Sequence, residues 1–193
     1  MKRYFLSVFT TCFVMLQLTA QDATLPSRST SYLGASFQVY PAGFIPTANY
    51  ENFLSEKASL VFRLGANITD RQDFSDENDS EEGAGFGGSI GYRKHYHFPK
   101  GKIIVGLNTD IWSLEIDWTD ISNPVGSQSG TTDIVVLQPW LEGGYFFKLN
   151  NGASQLGISA GFGREFNIAT SGDEVAQGFI GSLILQYQFR TSK

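Results

Sequence analysis

Apolar positions alternate with small or polar ones along most of the chain, in segments separated by turn residues. In the last segment Phe179, Leu183, Leu185, Tyr187 and Phe189 share one parity, and Ser182, Gln186 and Gln188 share the other. A strand projects successive side chains to opposite faces, so such a segment has one apolar face and one polar face. The same alternation predicts strands over residues 32–40, 47–54, 58–68, 84–98, 102–118, 131–148 and 154–168, and a last one ending near Arg190. The apolar sets include Leu33, Ala35, Phe37 and Val39 in the first strand and Leu60, Phe62, Leu64, Ala66 and Ile68 in the third. The opposite faces carry Arg63 and Asn67, then Ser89, Arg93, His95 and His97, then Asn108 and Asp110, then Gln138, Trp140 and Glu142. In the fifth strand the parity changes near Trp112. Ile103, Val105, Leu107 and Ile111 form the apolar set before it, and Trp112, Leu114, Ile116 and Trp118 after it. A bulge, or emergence of the strand from a membrane, accounts for such a switch. Pro139 lacks a ladder donor and weakens the sixth strand locally.

The connections alternate in length. Ser55-Glu56-Lys57, Pro99-Lys100-Gly101 and Asn150-Asn151-Gly152 are short turns, whereas residues 41–46, 69–83, 119–130 and 169–174 form generally longer links. An even number of strands returns both termini to one side, and short turns on that side with longer loops opposite mark outer-membrane barrels. The expected fold is therefore all-β: an eight-stranded antiparallel up-and-down transmembrane β-barrel with lipid outside and polar residues inside. Counting across the turns places Arg93 opposite Asn108 or diagonal to Asp110, and Glu142 near Ser159.

Residues 1–20 read as a secretory signal: Lys2 and Arg3, an apolar run from Tyr4 to about Leu18, and Thr19-Ala20 before Gln21. Cys12 lies in that run, so the remaining chain has no cysteine and no thiolate chemistry. Residues 21–31, with Pro26, read as a periplasmic linker, leaving 32–193 as the barrel domain. Without Lys2 and Arg3 the chain has 12 basic and 19 acidic residues, a net charge of −7, which argues against nucleic acid as a partner. No further apolar run reaches the roughly 18 residues of a helical span.

From residue 32 to 189 the chain resembles the small eight-stranded outer-membrane barrels of the OmpA/OmpX type. Tyr187-Gln188-Phe189 carries the most specific part of that resemblance, being similar to the aromatic-x-aromatic end of a barrel-assembly signal. Ile184 stands where that signal usually has glycine, and residues 190–193 extend past the last aromatic. The resemblance implies an outer-membrane location in a Gram-negative envelope, with both termini periplasmic. It also implies insertion by the barrel-assembly machinery, contact with outer-membrane lipid and lipopolysaccharide, and a monomer.

An eight-stranded lumen is just wide enough for side chains to fill. The inward set includes Glu51, Arg63, Arg93, Asp110 and Glu142, accompanied by Gln38, Asn49, Asn67, Asn108, Gln138, Gln186 and Gln188. Unpaired buried charge is costly, so the carboxylates are expected to meet the two arginines in a polar plug that closes the barrel. Gly87-Gly88-Ser89-Ile90-Gly91 and Gly157-Ile158-Ser159-Ala160-Gly161 match the nucleophile-elbow pattern, and Gly83-x-Gly85-x-x-Gly88 matches a dinucleotide fingerprint. Both motifs need a helix after the turn, which a mid-strand position denies them. His95 and His97 are the only histidines and read as polar lining near the periplasmic rim, since no third ligand supports a metal. The acidic segment reads as a solvated loop whose Asp73, Asp76, Glu77, Asp79 and Glu81 are candidate surface contacts. No catalytic residue, metal or cofactor is expected. The favoured function is a non-enzymatic outer-membrane barrel that supports the envelope or binds an external ligand through its loops. The alternatives are a small pore or transport protein, a membrane-embedded lipid-modifying enzyme, and a soluble lipocalin-like barrel with its apolar face inside.

Overall fold

The computed structural model describes residues 30–72, 78–121 and 126–191. Residues 1–20 with Cys12, most of the 21–31 linker, and Asp73, Asp76 and Glu77 lie outside the described residues. The strands are β1 (Ser31–Tyr40), β2 (Gly43–Ser55), β3 (Ala58–Gln72), β4 (Ser80–Phe98), β5 (Gly101–Asp120), β6 (Gln128–Leu149), β7 (Ser154–Arg164), β8 (Phe166–Ser171) and β9 (Phe179–Thr191). Each pairs antiparallel with its neighbours, and β9 returns to β1 while β5 meets β6, which closes the sheet. β7 and β8 both pair with β6 and share one place in the wall, so nine strands form a ring of eight. Closure leaves no long free edge, which a sheet this exposed requires.

Both ends of the described chain and three short links (56–57, 99–100 and 150–153) lie at one end, here called the turn end. The Pro41–Ala42 link, segment 172–178, and the ends of β3 at Gln72 and β5 at Asp120 lie at the other, the loop end. The third short link is a 3-10 turn in which Asn150, Asn151 and Gly152 all have positive φ, a backbone that Asn and Gly tolerate best.

The alternation of faces follows the sequence, but several boundaries move. The link expected over 41–46 shrinks to two residues, because Phe44, Ile45 and Pro46 already pair with Val39, Gln38 and Phe37. The acidic segment expected over 69–83 is mostly strand: Asp70 faces Glu82 and Arg71 faces Glu81 across the β3–β4 ladder. Likewise β5 and β6 extend to Asp120 and from Gln128, and the 169–174 loop becomes 172–178 once β8 runs to Ser171. The seventh wall position is interrupted at Glu165 and carries a register shift opposite Val135 and Val136. Pro139 faces that interruption, between the Trp140–Gly163 and Leu137–Phe166 pairs, where its missing N–H costs no ladder bond. The expected pairing of Arg93 with Asn108 is displaced: Arg93 lies opposite Gly106 and Asn108 opposite Gly91. The cause is the two-residue Pro99–Lys100 link, which sets Phe98 against Gly101.

Polarity is inverted relative to a water-soluble barrel over most of the wall. Phe86 is 79% and Leu64 71% exposed on the outside, whereas Arg93, Glu51 and Gln188 are fully buried inside. Leu33, Phe37, Phe62, Ile90, Leu107, Leu141, Phe162 and Leu185 continue the exposed apolar band around the ring. This is the distribution of a transmembrane barrel. It excludes an inside-out, lipocalin-like arrangement for that part of the wall.

The distribution switches within β5. The ladders to β4 and β6 run without a register shift from Gly101 to Asp120, so no bulge causes the parity change. Above Ile111 the inward residues are Trp112, Leu114, Ile116 and Trp118, while Ser113, Glu115 and Asp117 face out. Glu82 lies opposite Asp117 and Glu115 opposite Asp133 on that outer surface. A continuous strand that exchanges an apolar exterior for an acidic one has left the lipid layer and entered water.

The glycine-rich motifs have a steric role. Gly87, Gly157 and Gly161 face inward, and a Cβ there would lie 2.5 Å from Trp112, 2.5 Å from Phe146 and 2.7 Å from Ser182, with the Trp140 ring at 2.8 Å. They make room for large inward side chains on neighbouring strands. At Gly157 the obstructing atoms are all from the Phe146 ring. Gly157→Ala is therefore expected to destabilise the barrel by about 1–3 kcal/mol, the usual cost of overpacking. Adding Phe146→Leu should recover part of the loss, as measured by urea unfolding in lipid vesicles. Equal stability of wild type and Gly157→Ala would contradict this packing.

Candidate functional site

The lumen is filled in two layers. The lower layer is centred on Arg93, which β4 points into the barrel opposite Gly106. Its Nε and Nη2 donate to the two oxygens of Glu142, each at 2.9 Å, and Nη2 also donates to Gln186 at 3.1 Å. Arg93 Nη1 lies 3.8 Å from Glu51 Oε2. This two-toothed geometry matches the planar guanidinium to a carboxylate, the strongest arrangement of such a pair. Glu142 further accepts from Ser159 at 2.8 Å and Asn108 at 3.3 Å. Glu51 accepts from Gln188 at 2.7 Å and from Ser59 at 2.6 Å. Nearby, Arg63 donates to Ser89 at 3.0 Å and reaches Asp110 at 3.5 Å, while its guanidinium lies over the Trp140 ring. Asp110 also takes the Trp140 indole N–H at 2.8 Å. The structure thus places Glu51, Arg63, Arg93, Asp110 and Glu142 inside the barrel, with Arg93 bridging Glu142 and Glu51, and Arg63 paired with Asp110.

The upper layer is apolar: Tyr40, Ile45, Trp112, Leu114, Ile116, Ile134, Val136, Val175 and Ile180 pack together beneath the loop end. Val175 comes from segment 172–178, which is folded over this end. Arg71 holds it there by donating to the Ala176 carbonyl at 2.6 Å, while pairing with Glu165 at 2.8 Å and Glu81 at 3.3 Å. Glu81 also accepts from the Ala176 N–H at 3.1 Å and from Asn78 at 2.9 Å. Glu81, expected as a surface-loop contact, is fully buried on the inward face of β4, because its carboxylate is the counter-charge of Arg71. Asp79 is exposed at the loop end and accepts the Ile121 N–H.

The histidines separate. His95 is buried, stacked on Phe53, with Nε2 at 2.7 Å from Ser59 and 3.4 Å from Glu51. His97, expected inward, is exposed at the turn-end rim against the Glu56 carbonyl, because β4 ends one residue later. Ser59, His95 and Glu51 have triad residue types but not triad wiring. The carboxylate contacts the serine and the same ring nitrogen, whereas a triad holds it on the other one, and His95 Nδ1 has no partner among the described residues. Ser89 and Ser159, the motif serines, sit mid-strand and bond to Arg63 and Glu142.

Two features lie beyond what alternation alone signals. Arg71 and Glu81 fall in the segment expected as an acidic loop, and their opposite charges at ladder-compatible spacing are the signal of a strand pair. Lys102 shares the parity of Asn108 and Asp110, which marks it as inward. It is buried at the turn end among the rings of Phe53, Phe146 and Tyr32.

These features make the chain an eight-stranded antiparallel up-and-down barrel with an apolar girdle and paired charges in its interior. No family model matches the chain, and no curated protein matches it. Among solved structures it is similar to Ail, the attachment invasion locus protein of Yersinia pestis, in complex with the heparin analogue sucrose octasulfate. That match has 10% identity over 84% of this chain and 97% of that one, with a TM-score of 0.42. It is also similar to Neisserial surface protein A, at 10% identity over 83% and 94% of the two chains and a TM-score of 0.44. The outer membrane protein AlkL in lipid bilayers matches at 12% identity over 89% and 97%, with a TM-score of 0.47.

Proposed function

We propose that this chain is a non-enzymatic integral outer-membrane barrel, closed to solute flow, with both termini periplasmic. Its turns then face the periplasm, and its loop end meets lipopolysaccharide and an external ligand. The observation that carries this reading is the double occlusion of the lumen, by the Arg93–Glu142–Glu51 ion cluster and by the apolar layer above it, inside a wall that is apolar outside. A pore would need a continuous polar path, and nine apolar or aromatic side chains interrupt one. The acidic outer rim formed by Glu82, Glu115, Asp117 and Asp133 favours contact with the cation-bridged headgroup layer over insertion in hydrocarbon. The wiring of Ser59, His95 and Glu51, with the carboxylate on the serine and on the same ring nitrogen, favours a structural role for that cluster. As a monomeric barrel it would be inserted by the barrel-assembly machinery and need no cofactor.

The test is fractionation and conductance. The protein is expected to pellet with outer membranes and to migrate faster unboiled than boiled in detergent gels. Purified protein in planar bilayers is expected to give no stable conducting state. Large steady channels would contradict the closed lumen. Equal migration together with recovery from the soluble periplasm would contradict the membrane reading.

A further inference from the structure

The turn-end mouth holds a cavity of about 360 Å³ with features the closed-barrel reading does not use. Lys102, Lys148, Arg190 and His97 line it together with Tyr32 and Phe53, and among the described residues Glu56 is the one carboxylate at its rim. Lys102 is 4% exposed. Its ammonium lies 4.6 Å from the Phe53 ring centre, 5.4 Å from Phe146 and 5.5 Å from Tyr32. Among the described residues no oxygen accepts a hydrogen bond from it. Glu51, the nearest buried carboxylate in the lower layer, is already held by Ser59, Gln188 and Arg93. Aromatic faces attract a cation but do not replace three hydrogen-bond acceptors. The acceptors for this ammonium therefore come from the cavity it lines, as water or as an oxygen-bearing ligand.

The surrounding donors are also incompletely used. Arg190 gives one side-chain hydrogen bond, to the Tyr32 hydroxyl at 3.3 Å, and its guanidinium lies over the Tyr32 ring. A guanidinium has five N–H donors in a fork suited to two oxygens of one anion. Lys148 gives one, to the Phe98 carbonyl at 3.3 Å. Two lysines and an arginine, with one rim carboxylate among the described residues, therefore surround a cavity with an aromatic wall.

We infer that the turn-end mouth is an oxyanion-binding site that takes a phosphate group, with Lys102 at its base and Arg190 and Lys148 at its sides. A phosphate carries two charges and enough acceptor oxygens to meet three cations at once, which a single carboxylate does not. The cavity is larger than phosphate alone, so the Tyr32 and Phe53 rings would flank the organic part. The phosphate comes either from a small phosphorylated molecule in solution or from a lipid headgroup drawn into the mouth.

The site is tested by two-dimensional amide NMR of the full barrel in lipid nanodiscs, titrated with inorganic phosphate. In zwitterionic discs, saturable shifts are expected at Tyr32, Lys102, Gly152 and Gln155. Lys102→Met keeps the packing against the rings and is expected to weaken binding at least about tenfold, the effect of losing a charge-assisted hydrogen bond at a desolvated site. Arg190→Gln is expected to weaken it several-fold. Each variant is checked for faster unboiled gel migration. If Lys102→Met does not fold, the Lys148→Gln/Arg190→Gln pair, which alters exposed groups only, takes its place. In discs containing phosphatidic acid, spectra already shifted before phosphate is added identify the lipid as the source, and unshifted spectra that then titrate identify a soluble anion. Absence of saturable shifts in both discs, or wild-type affinity in folded Lys102→Met, overturns the inference.

Discussion

Replacing Arg93 by methionine is expected to destabilise the barrel by about 3–5 kcal/mol, the cost of leaving buried carboxylates without their counter-charge. Arg93 is fully buried, grips Glu142 with two hydrogen bonds and stands 3.8 Å from Glu51, so its loss uncovers two carboxylates at once. Urea unfolding in lipid vesicles, followed by the gel-mobility difference between folded and unfolded forms, measures the change. The triple variant Arg93→Met/Glu142→Gln/Glu51→Gln should recover most of it, because neutral amides need no cation. Arg63→Met should cost less. Its ion pair with Asp110 is longer, at 3.5 Å, and Asp110 keeps the Trp140 indole donor. Equal losses for the two arginines, or no recovery in the triple variant, would show that charge pairing does not hold the lower layer together.

The second large effect lies on the outer face. Leu107→Arg is expected to cost about 2–4 kcal/mol in a bilayer, the penalty for a cation on the lipid face near the midplane. Leu107 is exposed in mid-β5, flanked by outward Tyr92 and Leu141 on the neighbouring strands. Glu115→Arg, on the same face of the same strand but beyond the switch at Trp112, is expected to cost only about 0–1 kcal/mol, as near an interface. The pair separates lipid from water with one substitution type on one strand. Similar values at both positions, measured by the same unfolding assay, would contradict the placement of the membrane boundary between them.

Most of the wall was legible because strand alternation is local: each side chain's face depends on its parity, and parity survives errors in strand length. The inward positions of Glu51, Arg63, Arg93, Asp110 and Glu142 follow from that alone. The features that escaped are those that depend on distance along the ladder. Two residues of link between β4 and β5 set Arg93 against Gly106, and no alternation rule supplies that register. Acidic composition masked the strand ends at Arg71 and Glu81, since charge reads as loop until its partner is known. The switch at Trp112 was visible, but bulge and emergence give the same sequence pattern. Only an unbroken ladder distinguishes them. Residues 169–174 read as an ordinary loop, yet the adjoining Val175 completes the apolar layer, a contact between residues remote in the sequence.

On this reading lipid surrounds the wall up to Ile111 and water surrounds it beyond. Nitroxide labels placed one at a time from residue 103 to 117 of β5 in Cys12-free protein in vesicles test it directly, by relaxation with oxygen and with a water-soluble nickel chelate. Oxygen-dominated relaxation is expected at 103, 105, 107 and 111, nickel-dominated relaxation at 113, 115 and 117, and protection from both at 104, 108 and 110. Nickel access at 107 equal to that at 115 would contradict it.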